Sequence, residues 1–499
     1  MQRWEKQAAC CDNRAARVLR RGTCMKAPRF RPLFALSLVA LGACAEASDV
    51  AAPDEDATGV SALGTATRLG ELEYRALMEI PGAFGGAPLW VSNNPEDVGG
   101  FGLLSSTRPP QPAVAPRSAA TGAPYPDLIT ADPLEWQRSQ PGCPVGEVRS
   151  VHLYLAHILS SAHLRGHRRI SVLAETGETP AMLRWGGMFG TTGWSDAFGM
   201  KTTRNDWLGA KVADFRLQLV QGTQPLDKSL ATSAGQLTTL ASVAAESLVE
   251  GALHLESQGG CVAVHVVAHS ADVASPLPTY AKGDAKWPGW LAGKGYGRAA
   301  GLYQGNTWVG ATSRKISSAR SAFGWKLFHA EQSPKALARH GDSAEILFGG
   351  YGVVYEARIG LSNDTSRCVS AHVAFTSYGD LAARPGKPPL GDRRTPSARS
   401  LEATDPAKWP SMIWNGPVAV RQQVRGGAWV SGREHVVLKP ALGLFDGSDP
   451  LSVPASLSRP LLRWDMNPGE QREVVLQIPV PGYVIAPAAI TVETSPCEP

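Results

Sequence analysis

Charge, long apolar runs and paired cysteines are all scarce in this chain. Only 19% of its 499 residues are charged. The apolar stretch Leu33–Ala43 falls well short of the ~20 residues that span a bilayer. No Cys-x-x-Cys pair lies beyond Cys44, which argues against a zinc ribbon. No carboxylate stands at His-Glu-x-x-His spacing, so the commonest helix-borne zinc site is missing. Excess positive charge is also missing once its location is considered. Nine of the 49 Lys/Arg and two of the 44 Asp/Glu fall in residues 1–43, leaving a remainder of net charge −2. That remainder has no electrostatic footprint for nucleic acid. Glycine, proline and tryptophan are plentiful instead, at 52, 38 and 14 residues. This is the profile of a loop-rich β protein rather than a helical bundle.

Lys26, Arg29 and Arg31 precede the apolar run, as the n-region of an export signal precedes its h-region. That compact n-region places the expected translation start at Met25 rather than Met1. The run ends in Leu41-Gly42-Ala43-Cys44. A small-residue pair between an aliphatic residue and a cysteine resembles the lipobox of bacterial lipoproteins. The resemblance implies cleavage after Ala43, a diacylglycerol thioether on Cys44 and attachment to a membrane through that lipid. Ala45 fits the outer-membrane sorting rule of other lipoproteins. A plain secretory signal cut near the same place is the alternative.

The expected parts follow from this leader. Residues 1–43 are a mis-called start plus a signal peptide, and 44–70 are a small, acidic, flexible tether. The body from residue 71 is long enough for two or three domains. Two are expected, 71–280 and 281–499, divided in the Pro-, Lys- and Gly-rich stretch near Ala281. Four cysteines remain past Cys44, namely Cys143, Cys261, Cys368 and Cys497. An even number in an exported chain predicts two disulfides, with three connectivities open. One bridge per domain, Cys143–Cys261 and Cys368–Cys497, is the expected pairing.

Alternation of apolar and polar residues predicts strands at 148–155, 170–173, 262–269, 369–375 and 473–478. The first two read as an antiparallel hairpin with a long loop. Pro479 and Pro481 predict an edge position for the last. Residues 183–200, rich in Gly and aromatics, read as a structured loop. Helices are expected over 204–220, from the spacing of Trp207, Val212, Phe215 and Leu219, and over the Ala- and Ser-rich 238–250. Strand, polar turn and returning strand occur at 148–174 and again at 351–375, an internal echo that suggests two copies of one β unit. Short strands separated by Pro/Gly turns predict two antiparallel β-sandwich (Ig-like) domains with short helical inserts.

Three stretches carry a family resemblance. They are Pro88-Leu89-Trp90-Val91-Ser92-Asn93-Asn94-Pro95-Glu96 with Gly102-Leu103-Leu104; Gly295-Tyr296-Gly297-Arg298 with Gln304-Gly305-Asn306-Thr307-Trp308; and Gly350-Tyr351-Gly352-Val353 with Leu361-Ser362-Asn363. With the closing Pro468-Gly469-Glu470-Gln471-Arg472, their order resembles an exported family of uncharacterised proteins best represented in cyanobacteria. The resemblance runs from about residue 71 to the end. It implies an all-β exported protein and no assigned activity.

Candidate chemistry is thin. His157, His163, His167, His265 and His269 are histidines of metal-ligating type, but their spacing favours solvated or hydrogen-bonded roles, and no metal or cofactor is expected. Gly341-Asp342-Ser343 lacks the late Asp-x-x-His of the esterase block it resembles. His269-Ser270-Ala271-Asp272 has triad residue types, but neighbours on one strand cannot converge. The crowded aromatics Trp287, Trp290, Tyr296 and Trp308 are the candidate ligand-binding surface, set against a core-filling role. The expected function is a non-catalytic binding or scaffolding module of the cell envelope, with a polysaccharide or protein partner. An envelope hydrolase built from the long inserts is the competitor.

Overall fold

The computed structural model describes residues 77–97, 102–107, 128–130, 141–144, 146–158, 168–192, 208–244, 248–270, 299–340, 343–347, 350–377, 414–438, 458–481 and 488–498. The expected leader and tether, Cys44, and Trp287, Trp290 and Tyr296 lie outside them.

The described residues are mainly β. In the first half the strands are β1 (Gly82–Gly85), β2 (Leu89–Asp97), β3 (Gly102–Ser106), β4 (Leu128–Thr130), β5 (Ser150–Ile158), β6 (Arg168–Thr176), β7 (Ala181–Thr192), β8 (Lys228–Thr232), β9 (Leu237–Ala244), β10 (Leu248–Gln258) and β11 (Val262–Ser270). One helix, α1 (Leu208–Val220), sits between β7 and β8. In the second half they are β12 (Ala299–Tyr303), β13 (Thr307–Ile316), β14 (Ser321–Leu327), β15 (Ala336–His340), β16 (Val354–Asn363), β17 (Val369–Ser377), β18 (Trp414–Val424), β19 (Val430–Leu438), β20 (Ser458–Met466), β21 (Gln471–Pro479) and β22 (Ala488–Pro496).

The two halves share one topology. The first builds a sheet in the order β2-β5-β10-β7-β8 facing β3-β11-β6-β9. The second builds β13-β16-β21-β18-β19 and β14-β22-β17-β20. Each strand of one copy has its counterpart in the other, in the same order along the chain. The counterparts also agree in direction: β2–β5 and β13–β16 are parallel, whereas the other pairs are antiparallel. The echo between 148–174 and 351–375 is therefore the β5–β6 and β16–β17 portion of a whole-unit repeat.

The copies interlock through the strands that lead into them. β1 precedes β2 but pairs with β13 of the second copy, Phe84 opposite Trp308. β12 precedes β13 but pairs with β2 of the first, Leu302 opposite Trp90. Where the two leading segments cross, the Asn306 amide donates to the Ala87 carbonyl. Gly305 has a positive φ, and a Cβ there would stand 2.0 Å from the Gly85 carbonyl oxygen. Only glycine permits that approach. β15 and β4 extend the first copy's sheet beyond β12. Sheet membership thus crosses the boundary expected between residues 280 and 281.

Burial explains the composition. Val151, Leu153 and Leu155 of β5 point into the first sandwich, whereas Tyr154 and Ala156 point into the larger cluster that includes Trp308, Tyr355 and Phe215 of α1. A strand covered on both faces reads as a nearly continuous apolar run. Two disulfides, Cys143–Cys261 and Cys368–Cys497, close the copies in the expected pairing.

Several local expectations are corrected. β5 and β6 do not pair with each other; they lie in opposing sheets and meet face to face across the core, as β16 and β17 do. An aliphatic face on both strands fits an arch between layers as well as a hairpin. Residues 181–192 form β7 rather than a loop. There the ring of Phe189 lies over Gly251, where a Cβ would come within 2.0 Å of it, so the glycine makes room for the aromatic. Residues 237–244 form β9, not a helix, because pairing with β6 overrides a weak Ala/Ser preference. The helix at 204–220 is found as Leu208–Val220. β21 is central, between β16 and β18, because Pro479 stands at its last position and removes no interior ladder bond.

Candidate functional site

Three groups of side chains warrant a functional reading. The first lies on the face of β3-β11-β6-β9 turned away from the first sandwich core. Ser106 Oγ is 2.8 Å from His265 Nδ1, and His265 Nε2 is 3.4 Å from Glu175 Oε2. These residues come from β3, β11 and β6, three adjacent strands. The residue types and order are those of a nucleophile, a base and an orienting acid. Ser106 is 0% exposed, however, and His265 and Glu175 are buried beside it. A neighbouring row repeats the device. Ser171 Oγ lies 2.8 Å from His269 Nε2 and 2.8 Å from Ser242 Oγ, which accepts from Arg169 Nε. Burial lowers the His269 pKa, partly opposed by its bond to the Ser270 carbonyl. Ser92 and His157 make a third couple, 3.1 Å apart. Each couple joins different strands and satisfies polar atoms inside the fold, so the chemistry available is cross-strand stapling.

The second group sits where the copies meet. His152 of β5 and His254 of β10 are cross-strand partners with ring centroids 4.3 Å apart. Burial first, and then the neighbouring His254, push the His152 pKa down to about 3. The Asn306 side-chain amide donates to His152 Nδ1, which requires the neutral ring. Beside them Arg216 of α1 lies over the Tyr154 ring, 5.2 Å from its centroid, and donates to the Val480 carbonyl. The Tyr154 hydroxyl donates to Glu250. A narrow cleft between Leu89, His152, Arg216, Asn306, Gly352 and Val354 marks this junction. Neutral histidines and a buried guanidinium brace the two copies here. A histidine held neutral at every working pH is a poor proton shuttle.

The third group is open to solvent. Val424, Trp429 and Val430, at the tip of the β18–β19 hairpin, are 43%, 38% and 61% exposed. The Arg421 guanidinium lies over the Trp429 ring, 4.9 Å from its centroid. Arg425 donates to the Gln471 side-chain carbonyl. The turn Arg425-Gly426-Gly427-Ala428 offers no bulky side chain to cover them. The counterpart pair β7–β8, joined through α1 rather than by a tight turn, exposes Met182 and Leu230.

Of the aromatics expected to bind ligand, Trp308 is corrected to a core role. It is 1% exposed and packs on Tyr355 with centroids 5.6 Å apart. Its ring is turned inward over Gly310, with Ile80 beside it. Trp185 is buried as well, its Nε1 donating to the Leu240 carbonyl. Trp429 was missed. The available signal was an indole set in Gly426-Gly427-Ala428-Trp429-Val430-Ser431-Gly432, with Gly427 and Ser431, neither of them bulky and apolar, at strand spacing on either side. Among the described residues no three His, Cys, Asp or Glu are placed to hold a metal ion. No described helix is long and apolar enough to cross a membrane.

No family model matches the chain, and no curated protein matches it in sequence. Among solved structures, the CUB1-EGF-CUB2 domain of human MASP-1/3 is 8% identical, with 74% of this chain and 98% of that one covered at a TM-score of 0.15. A likeness that weak carries no argument about function.

Proposed function

We propose that this chain is a lipid-anchored module of the bacterial cell envelope, held to a membrane through Cys44 and working by surface contact rather than by chemistry. The export signal and lipobox resemblance of residues 26–44 support the anchor. Two disulfides fit an oxidising compartment. The outer membrane is the proposed location, from Ala45. The partner is a component of the envelope, with polysaccharide, protein and the membrane itself as the classes to test.

One observation carries the non-catalytic reading. Among the described residues, Ser106, His265 and Glu175 are sealed between strands, whereas three of the five large apolar side chains open to solvent, Val424, Trp429 and Val430, stand at the tip of one hairpin. A nucleophile needs access to its substrate, and an exposed apolar cluster rimmed by polar groups marks a contact surface. The hydrolase reading rests on the Ser106, His265 and Glu175 file, so it supplies the control. Purified unlipidated protein is mixed with washed cell-envelope fragments and sedimented. The reading expects binding that Trp429→Ser weakens and Ser106→Ala leaves unchanged. Release of soluble envelope products by the wild type, abolished by Ser106→Ala, would overturn it in favour of the hydrolase.

A further inference from the structure

We infer that the tip of the β18–β19 hairpin docks on an anionic phospholipid surface, as a second membrane contact beyond the lipid on Cys44. The inference rests on the reading of this hairpin as a contact surface and goes on to name what it contacts.

The argument starts from what stands at the tip. Val424, Trp429 and Val430 are open to water on a two-stranded projection whose outer strand, β19, is the edge of its sheet. Indole favours the boundary between lipid headgroups and acyl chains, where its ring is buried and its N–H stays wet. Aliphatic valines gain from the same boundary. They do little for a sugar, which needs a flat platform ringed by carboxylates and amides. Here one face of the indole is already covered by a guanidinium.

Charge agrees. Arg421 and Arg425 flank the apolar side chains, and neither makes an ion pair with a described carboxylate; Arg421 lies on the Trp429 ring and Arg425 bonds the Gln471 amide. Arg433 further along β19 is paired with Asp214 of α1 and is already compensated. Two uncompensated cations beside three exposed apolar groups match a surface of phosphate over hydrocarbon. The β7–β8 pair of the other copy, connected through α1 rather than by a tight turn, offers a contrast. It exposes Met182 and Leu230 but no aromatic.

The experiment uses the full chain with Cys44→Ser, so that no acyl chain contributes. It is mixed with vesicles of phosphatidylcholine alone, vesicles containing phosphatidylglycerol, and purified envelope polysaccharide, and sedimented. The expected result is binding to the anionic vesicles that falls at high salt, as screening requires. Trp429→Ser should weaken it by about tenfold or more, from the lost burial of one indole. Arg421→Gln with Arg425→Gln should remove the preference for anionic lipid. Met182→Ser should change nothing, and unchanged thermal unfolding of each variant shows that the fold is intact. Failure to bind anionic vesicles, or binding indifferent to Trp429→Ser, overturns the inference. If polysaccharide binding depends on Trp429 and vesicle binding does not occur, the contact-surface reading survives and the membrane inference falls. If neither binds, both fall.

Discussion

The two sandwiches have the same strand order and differ in what fills them. At the register position where the first copy places Gly251 opposite Phe189, the second places Leu476 opposite Val420. One copy puts all the bulk on one strand and the other divides it. Where the first has His152 opposite His254, the second has Val354 opposite Pro479. The bridges differ too. Cys261 immediately precedes β11, whereas Cys497 follows β22, its counterpart, so they clamp opposite ends of equivalent strands. The topology is indifferent to these exchanges because core volume and alternation are kept. The places where the copies depart from each other are where one of them acquired a polar or packing feature of its own.

The largest test of their equivalence is the disulfides. The separations of 118 and 129 residues predict, from chain entropy, nearly equal losses of about 4–5 kcal/mol for removing either bridge as a Cys→Ser pair. Urea unfolding measures both, and a clear inequality would show that position along the strand, rather than loop length, sets their worth. Next come Trp90 and Trp308, the paired indoles of β2 and β13. Each replaced by alanine should cost about 3–5 kcal/mol. Phenylalanine should cost more at Trp90, by about 1 kcal/mol, because Trp90 Nε1 donates to Ser105 Oγ at 2.6 Å.

A smaller effect is expected at Gly251. Alanine there meets the Phe189 ring and should destabilise by about 1–3 kcal/mol. Adding Phe189→Val, which copies the second sandwich, should recover part of that loss. A double-mutant cycle without coupling would break the volume argument. The gentlest probe is pH. The His152 pKa is depressed in the folded protein to about 3, so the unfolded chain binds its proton first as pH falls below about 6.5. Stability from this site is complete above that pH and declines by about 1.4 kcal/mol per unit toward pH 3. His152→Val, the residue type of the second copy, should flatten that acid limb in pH-dependent unfolding.

What the sequence disclosed follows from period and burial. Clean alternation made 148–155, 369–375 and 473–478 legible as strands, and spacing made α1 legible as a helix. The disulfide pairing was legible because each pair lies within one repeat. β7 was not, because its glycines are explained only by neighbours distant in the chain or by a ring folded back on them: Gly186 by the Pro225 carbonyl, Gly190 by Leu208 and Gly187 by Phe189. Hairpin and arch were indistinguishable, since both present one aliphatic face per strand. The candidate site was hardest. Trp308 and Trp429 are both tryptophans next to valine, and only the third dimension shows that one is roofed by β1 and the other is not.

The exchanged leading strands have a consequence for the order of assembly. Residues 82–85 wait for a partner more than two hundred positions later, and the β2 edge of the first sheet stays unpaired until residues 299–303 arrive. Closing so long a loop early is entropically costly, so neither half matures ahead of the other. Until the second half is delivered, the Trp90 edge of β2 stays open to any strand that passes. Under the export proposed above, that open edge is also a safeguard, since half a molecule cannot lock shut before the whole has crossed.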